Sequence, residues 1–306
     1  MDTLIAILIA TVGAGTPLVF AALGELVVEK SGVLNLGVEG MMLVGAIAAF
    51  AATSATGNMW LGVAAGMVAG AGMALVFGVL ALTLQANQVA AGLALTIFGV
   101  GLSAFVGKPY ESVALQAPQV LHVPVLADLP VLGPILFSQQ PLVYLSWVLF
   151  ALVAWFLYKS RSGLVLRSVG ESPTSANALG YPVIGIRYLA TLFGGAMAGV
   201  GGAYLSIIYT PLWVEGMTAG RGWIALALVV FATWRPARVL IGAYLFGGVT
   251  ITQFFAQGAG AAIASQLLSS LPYLATIVVL VLISRNPNLI RLNAPVSLGK
   301  SYHPGG

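Results

Sequence analysis

Arg161–Arg187 reads RSGLVLRSVGESPTSANALGYPVIGIR, a polar, basic and punctuated stretch set between two long apolar runs. Within it Ser172 fits a helix N-cap and Pro173 the first helical position. Thr174 to Leu179 then make about two turns before Gly180 and Pro182 end them. A helix that short is unstable alone in water, because nucleation costs more than two turns return. Neighbours or a partner must hold it, and the rest of the chain decides which.

The chain has 306 residues, of which 59% are hydrophobic and 7% charged, with a mean hydropathy of +1.02. Soluble domains carry about 25% charged residues, so an ordinary globular protein is excluded. Repeated apolar runs of about 20 residues match a hydrocarbon core about 30 Å thick. In lipid such runs must be helices or closed barrels, and runs without period-two alternation are helices. The expected fold is an all-α polytopic membrane protein with a single transmembrane domain over 1–306. With no cysteine and only His122 and His303 as histidines, neither disulfides nor a metal centre are expected.

The spans read as 3–24, 33–53, 60–84, 88–107, 141–158, 187–208, 216–233, 239–257 and 271–284, about nine crossings. Positively charged loops face the cytoplasm. Placing the C-terminus inside puts 10 of the 12 basic residues there, all but Lys108 and Arg221. The N-terminus is then outside, 108–140 is an extracytoplasmic loop, 159–186 lies in the cytoplasm, and 285–306 is a cytoplasmic tail. Five prolines exclude a continuous helix from 108–140, leaving an extended cap or short surface helix that either closes the bundle or docks a partner. The tail, with three prolines and three basic residues, reads as poorly ordered.

Candidate pathway or gate residues fall in two places. Between the first spans, Gly24–Gly40 reads as a broken or re-entrant segment whose carboxylates and Asn35 line an inner vestibule. The other reading is a solvated turn, with Glu29 and Lys30 in water and Glu39 at a helix N-terminus. Asn35 and Glu39 are four apart and would share one helix face. Near the outer side, Tyr209, Trp213, Glu215, Arg221 and Trp223 cluster. The residues from Gly222 to Thr233 are too few to span, so the helix starts earlier and draws Arg221 below the surface, or it is a half-helix. Arg221 is then either a pathway residue with Glu215 as its candidate partner, or a snorkelling arginine in an aromatic belt. Gly62, Gly66 and Gly70, and Gly195 with Gly199, are small-residue repeats that let helices approach closely.

No catalytic set and no cluster of metal ligands is visible, so an enzyme is not expected. A secondary transporter would place ionisable groups mid-span, and a channel would need a charged or carbonyl-rich filter. What the chain does carry is the capped short helix, read as a docking element for an energy-supplying partner on the inner face.

Three blocks then carry a resemblance. GELVVEKSGVLNLGVEGMMLVGA (Gly24–Ala46) resembles the N-terminal signature of ABC-importer permeases of the branched-chain amino acid, simple-sugar and nucleoside group. RSGLVLRSVGESPTSANALGYPV (Arg161–Val183) is similar to that family's coupling-helix loop, and AGRGWIALALVVFATWRP (Ala219–Pro236) to its third block. They fall in family order, and the resemblance runs over nearly the whole chain. It is nearest to the shorter permease subunit of nucleoside and simple-sugar importers, which lack the additional first helix of many members. The resemblance implies a type II-like permease of the bacterial cytoplasmic membrane, paired with a second permease, often as a heterodimer. Two cytoplasmic ATPases would hold ATP and Mg, this chain binding no cofactor, and an external solute-binding protein or lipoprotein would deliver the solute. Ser172, Pro173, Thr174, Ser175, Ala176, Asn177, Ala178, Leu179 and Gly180 would sit in a groove of the ATPase, with Arg167 and Glu171 fixing the seating by charge. The expected solute is neutral and polar, nucleosides first, with simple sugars or branched-chain amino acids as alternatives. Tyr209, Trp213 and Trp223 would stack on a base or serve as belt residues.

Overall fold

A computed structural model describes residues 2–116, 118–258 and 293–303, with positions 270, 271, 274, 277, 278 and 281 between them. Helix α1 runs Asp2–Lys30, longer than the expected 3–24. Glu25 and Glu29 do not interrupt it, because both find backbone or indole donors inside the protein. The helix stops at a turn closed by Gly32, whose φ of 89° suits glycine.

The chain then climbs beside α4 (Gln88–Gly107) before α2 (Val38–Thr56) begins. Leu34 N donates to Gln88 Oε1 at 2.8 Å, and Thr96 Oγ1 donates to the Leu36 carbonyl at 2.9 Å. Gln88 to Thr96 is about 12 Å along a helix axis, so α2 starts well inside the bundle. The re-entrant reading of this region therefore describes 33–37, while the solvated-turn reading does not hold. Glu29 is 1% and Lys30 8% exposed.

Helix α3 (Met59–Gly78) continues through a π-helical turn at Val79–Thr83, and α9 (Val183–Tyr204) through another at Leu205–Tyr209. The two glycine stripes meet each other. A Cβ on Gly70 would meet Gly199 Cα at 2.9 Å, and one on Gly66 would stand 2.9 Å from the Gly45 carbonyl. In lipid, such backbone approach replaces the hydrophobic effect as the source of helix association. Helices α2, α3 and α9 form the tightest part of the bundle in this way. On the other flank, Gly15 and Gly247 bring α1 against α11 (Pro236–Gly258).

The 108–140 connection is ordered as a short cap, with strands β1 (Leu121–His122) and β2 (Ser138–Gln139) pairing around helix α5 (Leu132–Leu136). Leu115 N donates to the Pro211 carbonyl, which seats the cap on the segment after α9. Helix α6 (Pro141–Lys159) returns across the bundle. It leads to α7 (Arg161–Glu171) and α8 (Pro173–Ala178). Helix α10 (Arg221–Phe231) has 11 residues and reaches about half of a membrane's hydrocarbon thickness.

Among the described residues seven helices are long and apolar enough to cross a membrane. Residues 216–233 form an irregular approach and the half-helix α10, the second of the two forms expected there, rather than one continuous spanning helix. The crossing at 271–284 and the connection 258–270 lie mostly outside the described residues. Tail residues 293–303 differ from the expectation of disorder. They are hydrogen-bonded to α1, to the turn after it, to α7 and to α9.

The close helix approach sets a measurable cost. Gly199→Ala adds a methyl against the Gly66 carbonyl and should destabilise the protein by about 1–3 kcal/mol, as overpacking does. Gly72→Ala, which meets nothing within 4 Å, should leave thermal unfolding in detergent unchanged.

Candidate coupling element and mid-bundle junction

The short helix of the opening stretch forms as its residues dictate. Ser172 Oγ accepts from Ser175 N at 3.3 Å, Pro173 occupies the first turn, and Gly180 closes the helix at φ 86°. Tyr181 N donates to the Ala176 carbonyl and Gly180 N to that of Asn177, the paired bonds of a Schellman cap. One face is braced. Ala176, 2% exposed, packs with Val169 and Val183 and is backed by Ile186 and Tyr302. The other face is open, with Thr174, Ser175, Asn177, Ala178 and Gly180 exposed and Leu179 at 77%.

Beneath α8 sits a buried clasp. Arg187 is 1% exposed and lies inside α9, because that helix begins at Val183 rather than at 187. It is therefore no loop anchor. Its Nε donates to the Ser31 carbonyl at 3.2 Å, one Nη to the Lys300 carbonyl at 3.2 Å, and the other to Ser297 Oγ at 3.0 Å. Ser297 Oγ in turn donates to the Gly170 carbonyl at 2.6 Å. One guanidinium thus ties the end of α1, the start of α9 and the tail together, and the tail to α7. Arg167, expected beside the docking helix, lies over the Tyr158 ring of α6 at 5.5 Å, while Glu171 is exposed.

The second junction lies deep in the bundle. Glu39, in the first turn of α2 and 6% exposed, accepts three hydrogen bonds from the approach to α10. Thr218 Oγ1 donates to Oε1 at 2.6 Å, Gly220 N to Oε1 at 2.9 Å, and Gly222 N to Oε2 at 2.6 Å. A carboxylate there meets orphan N–H groups and the positive end of a helix dipole together. Gly222 is required by the close approach, since a Cβ would stand 2.5 Å from Glu39 Cα. So Glu39 does meet a helix N-terminus, but that of α10.

The other candidates separate. Asn35 precedes α2, so it shares no helix face with Glu39; its Oδ1 accepts from Gly37 N. Arg221 lies over the Tyr209 ring at 5.7 Å and donates to the Met217 and Thr218 carbonyls. Trp213 is buried at 1% exposure against Gly107, among Ala46, Ile47 and Phe50, so its ring is core and unavailable for stacking on a base. Glu215 and Trp223 are exposed.

Sequence reading took the carboxylates of Gly24–Gly40 only as vestibule or water-facing groups, and overlooked Trp234 and the clasp role of Arg187. Glu29 accepts from Trp234 Nε1, joining α1 to the turn after α10, where Thr233 and Trp234 both have positive φ. Glu25 Oε1 accepts from Asn35 N at 3.3 Å. The available signal was the four-residue spacing of Glu25 and Glu29, which keeps them on one face if α1 continues.

Two substitutions test these junctions. Glu39→Gln turns one acceptor into a donor facing N–H groups, and should lower stability by about 1–3 kcal/mol on thermal unfolding. Arg187→Lys cannot reproduce a three-way fork and should release the tail, read as new protease cleavage within 293–303.

Comparison with known proteins follows this geometry. Residues 7–283 match the family described as branched-chain amino acid transport system / permease component. A putative glucose ABC transporter permease protein of Haloferax volcanii is 42% identical, covering 96% of each chain. The nucleoside ABC transporter permease protein NupC of Lactococcus lactis is 32% identical over 87% of this chain and 88% of its own. The guanosine ABC transporter permease protein NupQ of Bacillus subtilis is 33% identical over 78% of each. No solved structure matches the chain. Several apolar helices accord with a permease of this family, in which ATP hydrolysis belongs to a separate subunit. The chain belongs to the branched-chain amino acid transport system permease family and is a multi-pass, non-catalytic permease of an ABC importer in the cytoplasmic membrane.

Proposed function

We propose that this permease carries nucleosides, driven through α8 by a cytoplasmic ATPase. The observation that carries the coupling reading is the asymmetry of α8. One face is packed on α7, α9 and the tail, and the other leaves Leu179 and polar residues exposed. Ser172–Gly180 is then a lever, and closure of the ATPases moves it with the helices clasped by Arg187. Because one guanidinium ties α1, α9 and the tail, a push on α8 reaches the bundle without relying on a single helix.

In this reading the chain crosses nine times, with the N-terminus outside and the tail inside. Supporting this, Lys30, Arg167 and Arg235 gather at the end of the bundle that carries α7 and α8. A second permease subunit, two ATPase domains and an extracytoplasmic solute-binding protein complete the assembly. The pathway passes the junction where α2 and α10 both begin, with Asn35, Glu39, Tyr209 and Arg221 near it. The buried carboxylates of Glu39 and Glu29 answer to protein donors, which fits a pathway for a neutral solute better than ion coupling.

Nucleosides are favoured by the names of the Lactococcus and Bacillus relatives, and a simple sugar by that of the Haloferax protein. Uptake of labelled guanosine, glucose and leucine in a strain lacking the chain separates them. Guanosine uptake should fall; unchanged guanosine uptake with lost glucose uptake would assign the sugar. Replacing Ser172, Pro173 and Gly180 together should abolish ATPase co-purification while leaving membrane insertion intact. Persistence of both co-purification and transport would refute docking through α8.

A further inference from the structure

The end of the bundle that carries α7 and α8 holds a basic cleft to which α8 itself contributes no lining residue. Three cations reach it from separate elements: Lys30 at the end of α1, Arg167 on α7, and Arg235 just before α11. The cleft has two parts that share Asn293. One, of about 260 Å³, is lined by Lys30, Arg167, Ser168 and Asn293, with Glu171 as its one carboxylate among the described residues. The other, of about 440 Å³, is a groove between α6 and the start of α11. Phe150, Ala154 and Tyr158, successive turns on one face of α6, form its apolar wall, and Arg235 is among its lining.

Two carboxylates lie in electrostatic reach of Lys30: Glu171, which lines the cleft, and Glu29, which accepts from Trp234. Lys30 Nζ donates to the Asn293 carbonyl at 2.7 Å, and Arg167 and Arg235 both lie within electrostatic reach of it. Arg167 Nε is buried with no acceptor among the described residues, although its guanidinium rests on the Tyr158 ring. A buried donor without a partner costs about 1–3 kcal/mol, so a donor placed beside two other cations suits an anionic ligand. The anion's surroundings identify it further. A soluble phosphate would use the basic part and leave the apolar groove empty. A lipid uses both, because basic pockets between helices at the membrane boundary take anionic headgroups while the chain lies along the helices.

We propose that this cleft binds the phosphodiester of an anionic phospholipid, with an acyl chain in the groove between α6 and α11. The leaflet involved rests on the proposed cytoplasmic placement of this end; the site itself does not. Such a lipid would link α1, α6, α7 and α11, all within reach of the coupling element.

The test uses the full chain with its co-purifying partners in phosphatidylcholine nanodiscs doped with phosphatidylglycerol, and native mass spectrometry to count retained lipid. Phosphatidylglycerol should be retained selectively, and Arg167→Gln/Arg235→Gln should lower its retention on the order of 30-fold, as expected for two basic groups. Lys159→Gln, which alters an exposed residue outside the cleft, should not change it. Equal retention by the double variant would overturn the site. Displacement of the lipid by inorganic phosphate would overturn the lipid assignment in favour of a soluble anion. Crosslinking of Arg167 to an ATPase carboxylate with lipid excluded would assign the cleft to the partner. Should the double variant not fold, Ala154→Trp fills the groove without touching a charge. It should lower retention of phosphatidylglycerol, and unchanged retention would refute the groove. Lipid retention is read without ATP turnover or solute uptake, so its outcome is independent of the transport experiments.

Discussion

The bundle depends on one constraint: wherever the backbone leaves helical geometry inside the membrane, its polar groups must be met by protein. Among the described residues two such departures occur, before α2 and before α10, and Glu39 connects them. Its two oxygens take donors from Thr218, Gly220 and Gly222, so the start of one broken helix is satisfied by a side chain at the start of the other. The first break is satisfied in its turn by α4, through Gln88 and Thr96. A carboxylate in this setting is a structural pin between two segments with irregular backbone. Irregular segments are where helix bundles in membranes most readily open a path.

The same economy operates at the coupling end. A two-turn helix without its own stability is held by caps at both termini, by Ala176 in a small apolar socket, and by the network centred on Arg187. Desolvating a guanidinium is costly unless its donors are used, and here they go to Ser31, Ser297 and Lys300, which belong to different parts of the chain. In the proposed coupling, rigidity at this point would give the exposed face of α8 mechanical leverage on the spans. The glycine contacts of α2, α3 and α9 set a close-packed block against which that leverage acts.

Much of this was legible in the residues. The apolar runs placed α4, α6 and α3 with its π-helical turn (Met59–Thr83) to within a residue or so, because a run with polar ends has little freedom in lipid. The Ser172–Pro173 start and the Gly180 stop were legible because capping chemistry is local. The facing of Gly66 and Gly70 by Gly199 followed from spacing only as far as the existence of a packing face; which helix supplied the partner did not.

Composition and local chemistry by themselves determined that this is a helical membrane protein, where its uninterrupted spans lie, and that 172–180 forms a capped helix needing support. These are properties of hydropathy and of neighbours a few residues apart. The tertiary structure alone decided that α1 runs on to Lys30, that Arg187 is a buried clasp, that Trp213 is core, and that Glu39 answers to α10. Each of those outcomes depends on a donor or acceptor far away in the chain. A carboxylate at the edge of an apolar run is equally compatible with water or with burial until that partner is known.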